Sequence, residues 1–169
     1  MHEAPLILTL RFDQASFDRF DQERRWHFPA DRNFIPAHLT LFHHLPGQLG
    51  RTLTHGIAAR CFKQAVFPIL VANLRSLGRG IAYVVESSEL TELRSDLASR
   101  WSAHLTRQDT QGFRPHITIQ NKVSPQVAQQ TLEALSCSFE PFQALATGLL
   151  LWHYMGGPWE AAGEFAFED

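Results

Sequence analysis

Two short stretches of this chain share one pattern: residues 38–41 read His-Leu-Thr-Leu, and residues 116–119 read His-Ile-Thr-Ile. The copies lie 78 residues apart, and both follow the form His-apolar-Thr-apolar. With nine His and 44% hydrophobic residues, roughly a tenth of one such tetrapeptide is expected by chance. Two copies therefore indicate a duplicated motif.

The surrounding segments repeat at the same spacing, so that Gly78 maps onto Gly156. Hydrophobic periodicity and turn residues predict a strand, helix, strand, helix and strand in each half of the chain. The predicted strands span residues 5–12, 37–45, 66–75, 80–86, 116–123, 143–154 and 158–167, and predicted helices start near Asp13, Leu49, Ser88 and Ser124. We therefore expect two α/β lobes packed as a single domain over residues 1–169, with both motifs facing a central cleft.

Length and charge restrict the possible functions. A chain of 169 residues is the size of one domain, and folding should bury about 70% of the surface of the unfolded chain. The net charge of −2 argues against a long track for duplex DNA or RNA, whose binding requires many neutralised phosphates. All 15 Lys and Arg lie within residues 1–122, so any phosphate site should take its cations from there.

The motif residues suggest phosphoryl chemistry. On a strand, residues i and i+2 point to the same face, so His38 should point with Thr40, and His116 with Thr118. Because the ordinary pKa of an imidazole is about 6.5, two of them can act as an acid and a base near neutral pH. Threonine hydroxyls can donate to the non-bridging oxygens of a phosphoryl group. Such a displacement needs no metal ion.

These residues resemble the 2H phosphoesterase superfamily, and within it the 2′-5′ RNA ligase and RNA 2′,3′-cyclic phosphodiesterase-like group. The resemblance rests on residues 36–42 and 113–119, read within the bilobal repeat. It implies an α+β fold of two antiparallel-sheet lobes with outer helices. It also implies His38 and His116 as catalytic residues, and Thr40 and Thr118 as phosphate-binding residues.

The activity that the resemblance implies is metal-independent hydrolysis of 2′,3′-cyclic phosphodiesters of RNA ends or nucleotides to 2′-phosphomonoesters, together with 2′-5′ RNA ligation. By the same resemblance, His116 would activate the water and His38 would protonate the leaving oxygen. We expect no cofactor and no metal, an RNA end or a small cyclic nucleotide as substrate, neither duplex DNA nor membrane as partner, and a cytoplasmic monomer.

Two other functions remain open. The same fold could hold a nucleotide or RNA end without turnover, or it could serve as an interaction domain that uses its aromatic surface. The intact His and Thr of both motifs favour the enzyme over these alternatives.

Other residues are weaker candidates for the site. Gln120 and Lys122 share the predicted strand face of His116, and Lys122 and Arg114 could each reach a phosphate or stay solvated. Phe42 could stack on a base, although core packing is favoured. The remaining aromatic candidates for lining the cleft are Trp152 and Tyr154.

Four further features have plainer interpretations. His43 is expected to point away from His38 and His44 on the strand, so a zinc site is disfavoured. His104 and Thr106 form a decoy of the motif at the end of a helix, and a structural role is favoured. Cys61 and Cys137 lack metal or redox spacing, and two buried thiols are favoured over a disulfide. The N-terminal segment from Met1 has no basic stretch, and residues 6–10 are too short for a signal peptide or membrane span.

Overall fold

The chain folds as two similar βαβαβ halves followed by one further strand. The computed structural model describes residues 4–169, so Met1, His2 and Glu3 of the N-terminal segment lie outside the described residues. The elements in chain order are β1 (Leu6–Phe12), α1 (Gln14–His27), β2 (Thr40–Leu45), α2 (Gly50–Phe62), β3 (Phe67–Ser76), β4 (Ile81–Glu86), α3 (Ser88–Arg100), α4 (Arg107–Thr110), β5 (His116–Gln120), α5 (Pro125–Ser136), β6 (Phe142–Tyr154) and β7 (Trp159–Ala166).

The repeat extends to the tight turns between strands. Between β3 and β4, the backbone N–H of Leu77 donates to the carbonyl oxygen of Gly80 at 2.8 Å. Between β6 and β7, the N–H of Met155 donates to the carbonyl oxygen of Pro158 at 2.9 Å. Donors and acceptors are offset by the same 78 residues as the motifs, and a glycine with positive φ follows each donor. The predicted duplication is confirmed.

The strands pair antiparallel in one curled sheet, in the order β2-β1-β6-β3-β4-β5, with β7 added to β6. The 13-residue strand β6 connects the two lobes. One edge of β6 pairs with β3 at residues 142–146 and with β7 at residues 148–154. The opposite edge of β6 pairs with β1. The predicted α+β fold with two antiparallel lobes is confirmed.

The halves exchange strands. The third strand of the first half, β3, pairs with β4 of the second half, and the third strand of the second half, β6, pairs with β1 of the first. The strands that carry the motifs, β2 and β5, therefore lie at the two outer ends of this strand order. Curling of the sheet brings them to the central cleft.

Helix termini follow the local sequence signals in most cases. Ser124 accepts a hydrogen bond from the N–H of Val127, and Pro125 is the first residue of α5, as predicted. The sequence predicts Ser88 as the N-cap of α3, whereas the N-cap is Ser87 and the helix begins at Ser88. In α5, Ala128 is buried and Leu132 and Leu135 pack against the core, whereas Val127 is exposed.

Asp13 joins the first helix to the strand that connects the lobes. Its carboxylate accepts a hydrogen bond from the N–H of Ser16 at 3.2 Å, which caps α1. The same carboxylate accepts from the N–H of Leu145 in β6 at 2.9 Å. Burial would raise the pKa of Asp13, but these hydrogen bonds outweigh it and hold the pKa below its usual value.

We predict that Asp13→Ala lowers the free energy of unfolding by about 1–2 kcal/mol, because one substitution removes a helix cap and a contact to β6. Urea unfolding at pH 7 measures this difference. Asp18→Ala is the matched control, since Asp18 lies on the same helix and its carboxylate accepts only an exposed hydrogen bond from Gln14. Equal stability of the two variants would contradict the role given to Asp13.

Candidate active site

The two motif histidines are held in the same way. Nδ1 of His38 lies 2.8 Å from the carbonyl oxygen of Pro36, and Nδ1 of His116 lies 2.9 Å from that of Arg114. A carbonyl oxygen only accepts, so each Nδ1 carries the hydrogen. Each imidazole therefore keeps Nε2 for proton transfer.

The motif threonines lie on the two outer strands. Thr40 is the first residue of β2 and pairs with Thr9, whereas Thr118 lies within β5 and pairs with Ala82. Both threonines are half-buried. Strand β2 begins at Thr40, so His38 precedes the strand that was predicted from residue 37.

A β-bulge follows each motif threonine and changes which side chains face the cleft. In the first copy the pairing shifts between Leu8 and Thr9, and in the second it shifts between Ile81 and Ala82. A bulge interrupts the alternation of side chains along a strand. As a result, the equivalent residues Phe42 and Gln120 are both buried.

The bulges account for the favoured core packing of Phe42, and they revise the expectations for Gln120 and His43. Phe42 is a core residue, and its ring packs 5.2 Å from that of Trp101. Gln120 does not face the cleft, because its Nε2 donates to the hydroxyl of Thr131 in α5 at 2.9 Å. His43 was expected to point away from the site, but it lines a pocket together with Thr40.

A buried arginine connects α1 to the second motif. Arg24 is only 5% exposed, and its Nη1 donates to the carbonyl oxygen of Thr118 at 3.0 Å. Its Nε donates to Oδ1 of Asn33, in the loop that leads to His38, at 2.9 Å. Its guanidinium lies 4.2 Å from the ring centre of Phe28. Arg24 thus connects the loop before the first motif to the strand that carries the second motif.

A second buried arginine makes the reciprocal connection from α3. Nε of Arg94 donates to the carbonyl oxygen of Leu41 in the first motif at 2.9 Å. Its Nη2 donates to the carbonyl oxygen of Asp109, in the segment before the second motif, at 2.7 Å. Its guanidinium lies 4.1 Å from the ring centre of Phe42. The two arginines brace both edges of the cleft.

The carboxylate of Asp109 fixes the first motif strand from the other half of the molecule. Its two oxygens accept hydrogen bonds from the backbone N–H of His43 and of His44, all at 3.0 Å, and Oδ1 lies 3.0 Å from Nδ1 of His43. The residue is 1% exposed, and it lies in α4. Burial would raise the pKa of Asp109, but the hydrogen bonds from His43 and His44 hold it below the usual value.

An aromatic pocket of about 190 Å³ lies beside His38. The rings of His38 and Trp159 are 4.8 Å apart, and those of Trp152 and Trp159 are 5.9 Å apart. Phe34 lines the same pocket and is 75% exposed. Nε1 of Trp152 is anchored by donating to the hydroxyl of Thr9 at 3.0 Å. An aromatic ring of a ligand could stack here.

A polar pocket of about 180 Å³ lies beside His116. Thr40 also lines it, so the two pockets adjoin at the first motif. The charged residues Arg75, Arg94, Arg114 and Asp109 line it, together with His43. An anionic group of a ligand is suited to this lining.

The pKa values of both motif imidazoles are lowered, which favours their neutral forms at neutral pH. The pKa of His38 is lowered to about 4, mainly by burial; the hydrogen bond to Pro36 opposes this effect, and the charge of Arg24 and the proximity of His116 add to it. Burial also lowers the pKa of His116, with a contribution from the charge of Arg75. The two imidazoles thus share a site in which positive charge is disfavoured.

Other candidates fall outside this site. Lys122 follows the end of β5 in a turn, with a φ of 63°, and lines neither pocket. Tyr154 is exposed and likewise lies outside both. His104 of the decoy motif is exposed, in a 3₁₀ turn after α3. Cys61 is buried and Cys137 is exposed, and both are free thiols, so only one of the two expected buried thiols is buried.

Within residues 4–169 no group of three or more His, Cys, Asp and Glu side chains is placed to hold a metal ion. The carboxylate of Asp109 lies 3.0 Å from the ring of His43. This acidic neighbour was not predicted from the sequence. In the same part of the chain, none of the helices has the length and apolar character needed to cross a bilayer.

Sequence reasoning named both motif pairs, Arg114 and Trp152, but it missed several residues that shape the site. Trp159 and Phe34 complete the aromatic pocket, and an aromatic residue in a turn or hairpin carries no signal that separates core from cleft. Arg24, Arg75 and Arg94 sit in ordinary helix and strand patterns, which give no sign of their burial or partners.

Comparison with known proteins agrees with this architecture. The family model of the 2′-5′ RNA ligase superfamily matches residues 12–158, which include both motifs. No curated protein is similar enough in sequence to count as a match.

Solved structures share the fold at low sequence identity. The protein TT0787 of Thermus thermophilus has a TM-score of 0.69 and 14% identity, over 96% of this chain and 97% of that one. Escherichia coli LigT in complex with 3′-AMP has a TM-score of 0.63 and 16% identity, over 99% and 100% of the two chains. The LigT complex with phosphate gives a TM-score of 0.64 at 16% identity, over the full length of both chains. Because the family model spans most of the sequence and both of its motifs, this chain belongs to the 2′-5′ RNA ligase superfamily, the 2H phosphoesterases.

Proposed function

We propose that this protein hydrolyses the 2′,3′-cyclic phosphodiester of an RNA end or nucleotide to a 2′-phosphomonoester, without a metal ion. The observation that carries the proposal is the matched pair of imidazoles, each with Nδ1 held by a carbonyl oxygen and Nε2 left for proton transfer. Superfamily membership supports a phosphoesterase. The intact motif pairs favour catalysis over a module that only binds.

The reaction balances with these residues alone. One imidazole takes a proton from water as the water oxygen bonds to phosphorus, and the other gives a proton to the ribose 3′-oxygen as its bond to phosphorus breaks. The hydroxyls of Thr40 and Thr118 donate to the non-bridging oxygens, where negative charge increases. Solvent then restores the two imidazoles to their starting protonation states.

We assign the proton acceptor to His38 and the proton donor to His116, the reverse of the order that the resemblance implies. The pKa of His38 is lowered to about 4, and the nearby charge of Arg24 opposes its protonation, so His38 is assigned as the partner that stays neutral in the complex with substrate. The negative charge of a bound phosphate raises the pKa of His116 and allows it to carry the proton.

The two pockets suit a ribonucleotide. The aromatic pocket beside His38 offers stacking surface for a base. LigT, with which this chain shares its fold, has been solved with 3′-AMP, with ATP and with phosphate, which supports a nucleotide as the ligand class. If the 5′-hydroxyl of a second RNA end replaces water, the same step forms a 2′-5′ bond, and this ligation is the second candidate activity.

We further propose that residues 1–169 act as one domain, in the form of a cytoplasmic monomer. Each lobe takes a strand from the other half of the chain, which supports one cooperative unit.

We predict that His38→Ala and His116→Ala each lower kcat/KM on a nucleoside 2′,3′-cyclic phosphate by about 10²–10⁴-fold, because each removes one proton-transfer group. Thr40→Val and Thr118→Val should each cost about 1–3 kcal/mol of transition-state stabilisation. The assays are run with excess EDTA, and ³¹P NMR identifies the product as the 2′-phosphomonoester.

His104→Ala is the matched control for these variants, since it alters the decoy motif and should keep wild-type kcat/KM. Circular dichroism verifies that each variant folds. Near wild-type turnover of either motif histidine variant, or loss of wild-type activity in EDTA that zinc or magnesium restores, would contradict the mechanism.

The lowered pKa of His38 also predicts how stability depends on pH. Between about 6.5 and about 4, the unfolded chain binds a proton at this residue before the folded protein does, so the free energy of unfolding falls as the pH falls. His38→Ala removes this contribution and should flatten the dependence in that window. Chemical unfolding at a series of pH values measures the slope, and an unchanged slope would show that His38 is not held neutral.

A further inference from the structure

We propose that the polar pocket beside His116 binds a second, non-reacting phosphate of the substrate, on the 5′-carbon of the ribose that carries the cyclic phosphate. The ligand class is a ribonucleotide with two phosphates, and Arg75 and Arg114 are the residues that hold the second one. This inference rests on the proposed cyclic phosphodiesterase function and extends it to substrate selection.

The pocket contains more positive charge than its own acid can neutralise. Arg75, Arg94 and Arg114 line it, and Asp109 is its only carboxylate among the described residues. The oxygens of that carboxylate are already occupied by the backbone N–H groups of His43 and His44 and by the His43 ring. An anion is therefore the ligand that this lining favours.

The three arginines differ in how many hydrogen-bond and acidic partners they already have. Arg94 donates to two backbone carbonyl oxygens and serves as a brace. Within residues 4–169, the guanidinium groups of Arg75 and Arg114 have neither a hydrogen-bond acceptor nor an acidic partner. A guanidinium can bind phosphate through two parallel hydrogen bonds, so these two side chains are available for an anionic ligand.

The position of Arg75 separates it from the reacting phosphate. Arg75 pairs with Ala82, and Ala82 pairs with Thr118, so Arg75 lies two strands away from the motif threonine on the same row of the sheet. Two strand spacings are about 10 Å. Arg114 precedes β5, in the loop whose carbonyl oxygen holds His116. Both arginines thus line the pocket beside His116, and neither lines the aromatic pocket beside His38.

The positions of the substituents on ribose fit a base beside His38 and a second phosphate beside His116. In a 2′,3′-cyclic phosphate, the base is attached next to the 2′-oxygen, and the 5′-carbon is attached next to the 3′-oxygen. A base in the aromatic pocket beside His38 and a 5′-phosphate in the polar pocket beside His116 therefore direct the 3′-oxygen towards His116. This orientation places the departing oxygen beside the residue assigned as proton donor and leaves the phosphate on the 2′-oxygen.

The test compares three substrates with the same base: a nucleoside 2′,3′-cyclic phosphate, its 5′-phosphorylated form, and a dinucleotide that ends in the cyclic phosphate. We expect wild-type kcat/KM to be about tenfold or more higher for the two substrates that carry the second phosphate, as for a hydrogen bond between charged groups. The last two substrates distinguish a free 5′-phosphate from an internal RNA phosphate.

Arg75→Gln and Arg114→Gln should each reduce this preference by about tenfold, and Arg75→Lys should retain part of it because the charge remains. Arg79→Gln is the matched control: it removes an exposed arginine from the β3–β4 turn, outside the pocket. An equal loss on all three substrates would mean that Arg75 contacts the reacting phosphate, and it would overturn the proposal. A wild-type protein without any preference would overturn it as well.

A binding measurement keeps this test separate from the test of the proposed function. Calorimetry compares a nucleoside 2′-phosphate with the corresponding 2′,5′-bisphosphate on the wild type and on Arg75→Gln. We expect the bisphosphate to bind about tenfold or more tightly to the wild type and to lose this advantage in the variant. If turnover is absent but this advantage is found, the proposed function fails and the second phosphate site stands.

Discussion

Hydrogen bonds from two buried arginines to backbone carbonyl oxygens are the contacts on which the site depends. Arg24 reaches from the first half of the chain to Thr118, and Arg94 reaches from the second half to Leu41. Both motif strands lie at the ends of the strand order, where each lacks a neighbour on one side. The arginines satisfy carbonyl oxygens there and fix the distance across the cleft. A guanidinium does this at low hydration cost, since each one also lies over an aromatic ring.

Nearby arginines also affect the protonation of the two motif histidines. Burial and the Arg24 charge disfavour a proton on His38 and leave a neutral imidazole that can accept one. The charge of Arg75 acts on His116, but the negative charge of a bound phosphate opposes that effect. Two chemically identical side chains from a duplicated sequence can therefore take different roles, because neither Arg24 nor Arg75 has an arginine 78 residues further along the chain.

Local sequence signals predicted the strands, most helix starts and both motif pairs, because alternation, caps and glycine turns act over a few residues. The exchange of β3 and β6 between the halves was not predictable, since it depends on pairing between distant segments. The bulges that bury Phe42 and Gln120 give no sign in a single sequence. The local sequence around Asp109 is typical of a loop. Asp109 becomes a buried hydrogen-bond acceptor only through the packing of α4 against β2. The side chains that shape the cleft are thus set by tertiary contacts.

The central claim is that His116 gives the proton to the departing oxygen and His38 takes the proton from water. It is tested most directly with a 3′-deoxynucleoside 2′-(p-nitrophenyl phosphate), whose p-nitrophenolate leaves without a proton. With this substrate, His116→Ala should keep nearly wild-type kcat/KM, while His38→Ala should still lose about 10²–10⁴-fold. If His116→Ala loses as much here as on the cyclic phosphate, or if His38→Ala is the variant that keeps its activity, the assignment is wrong.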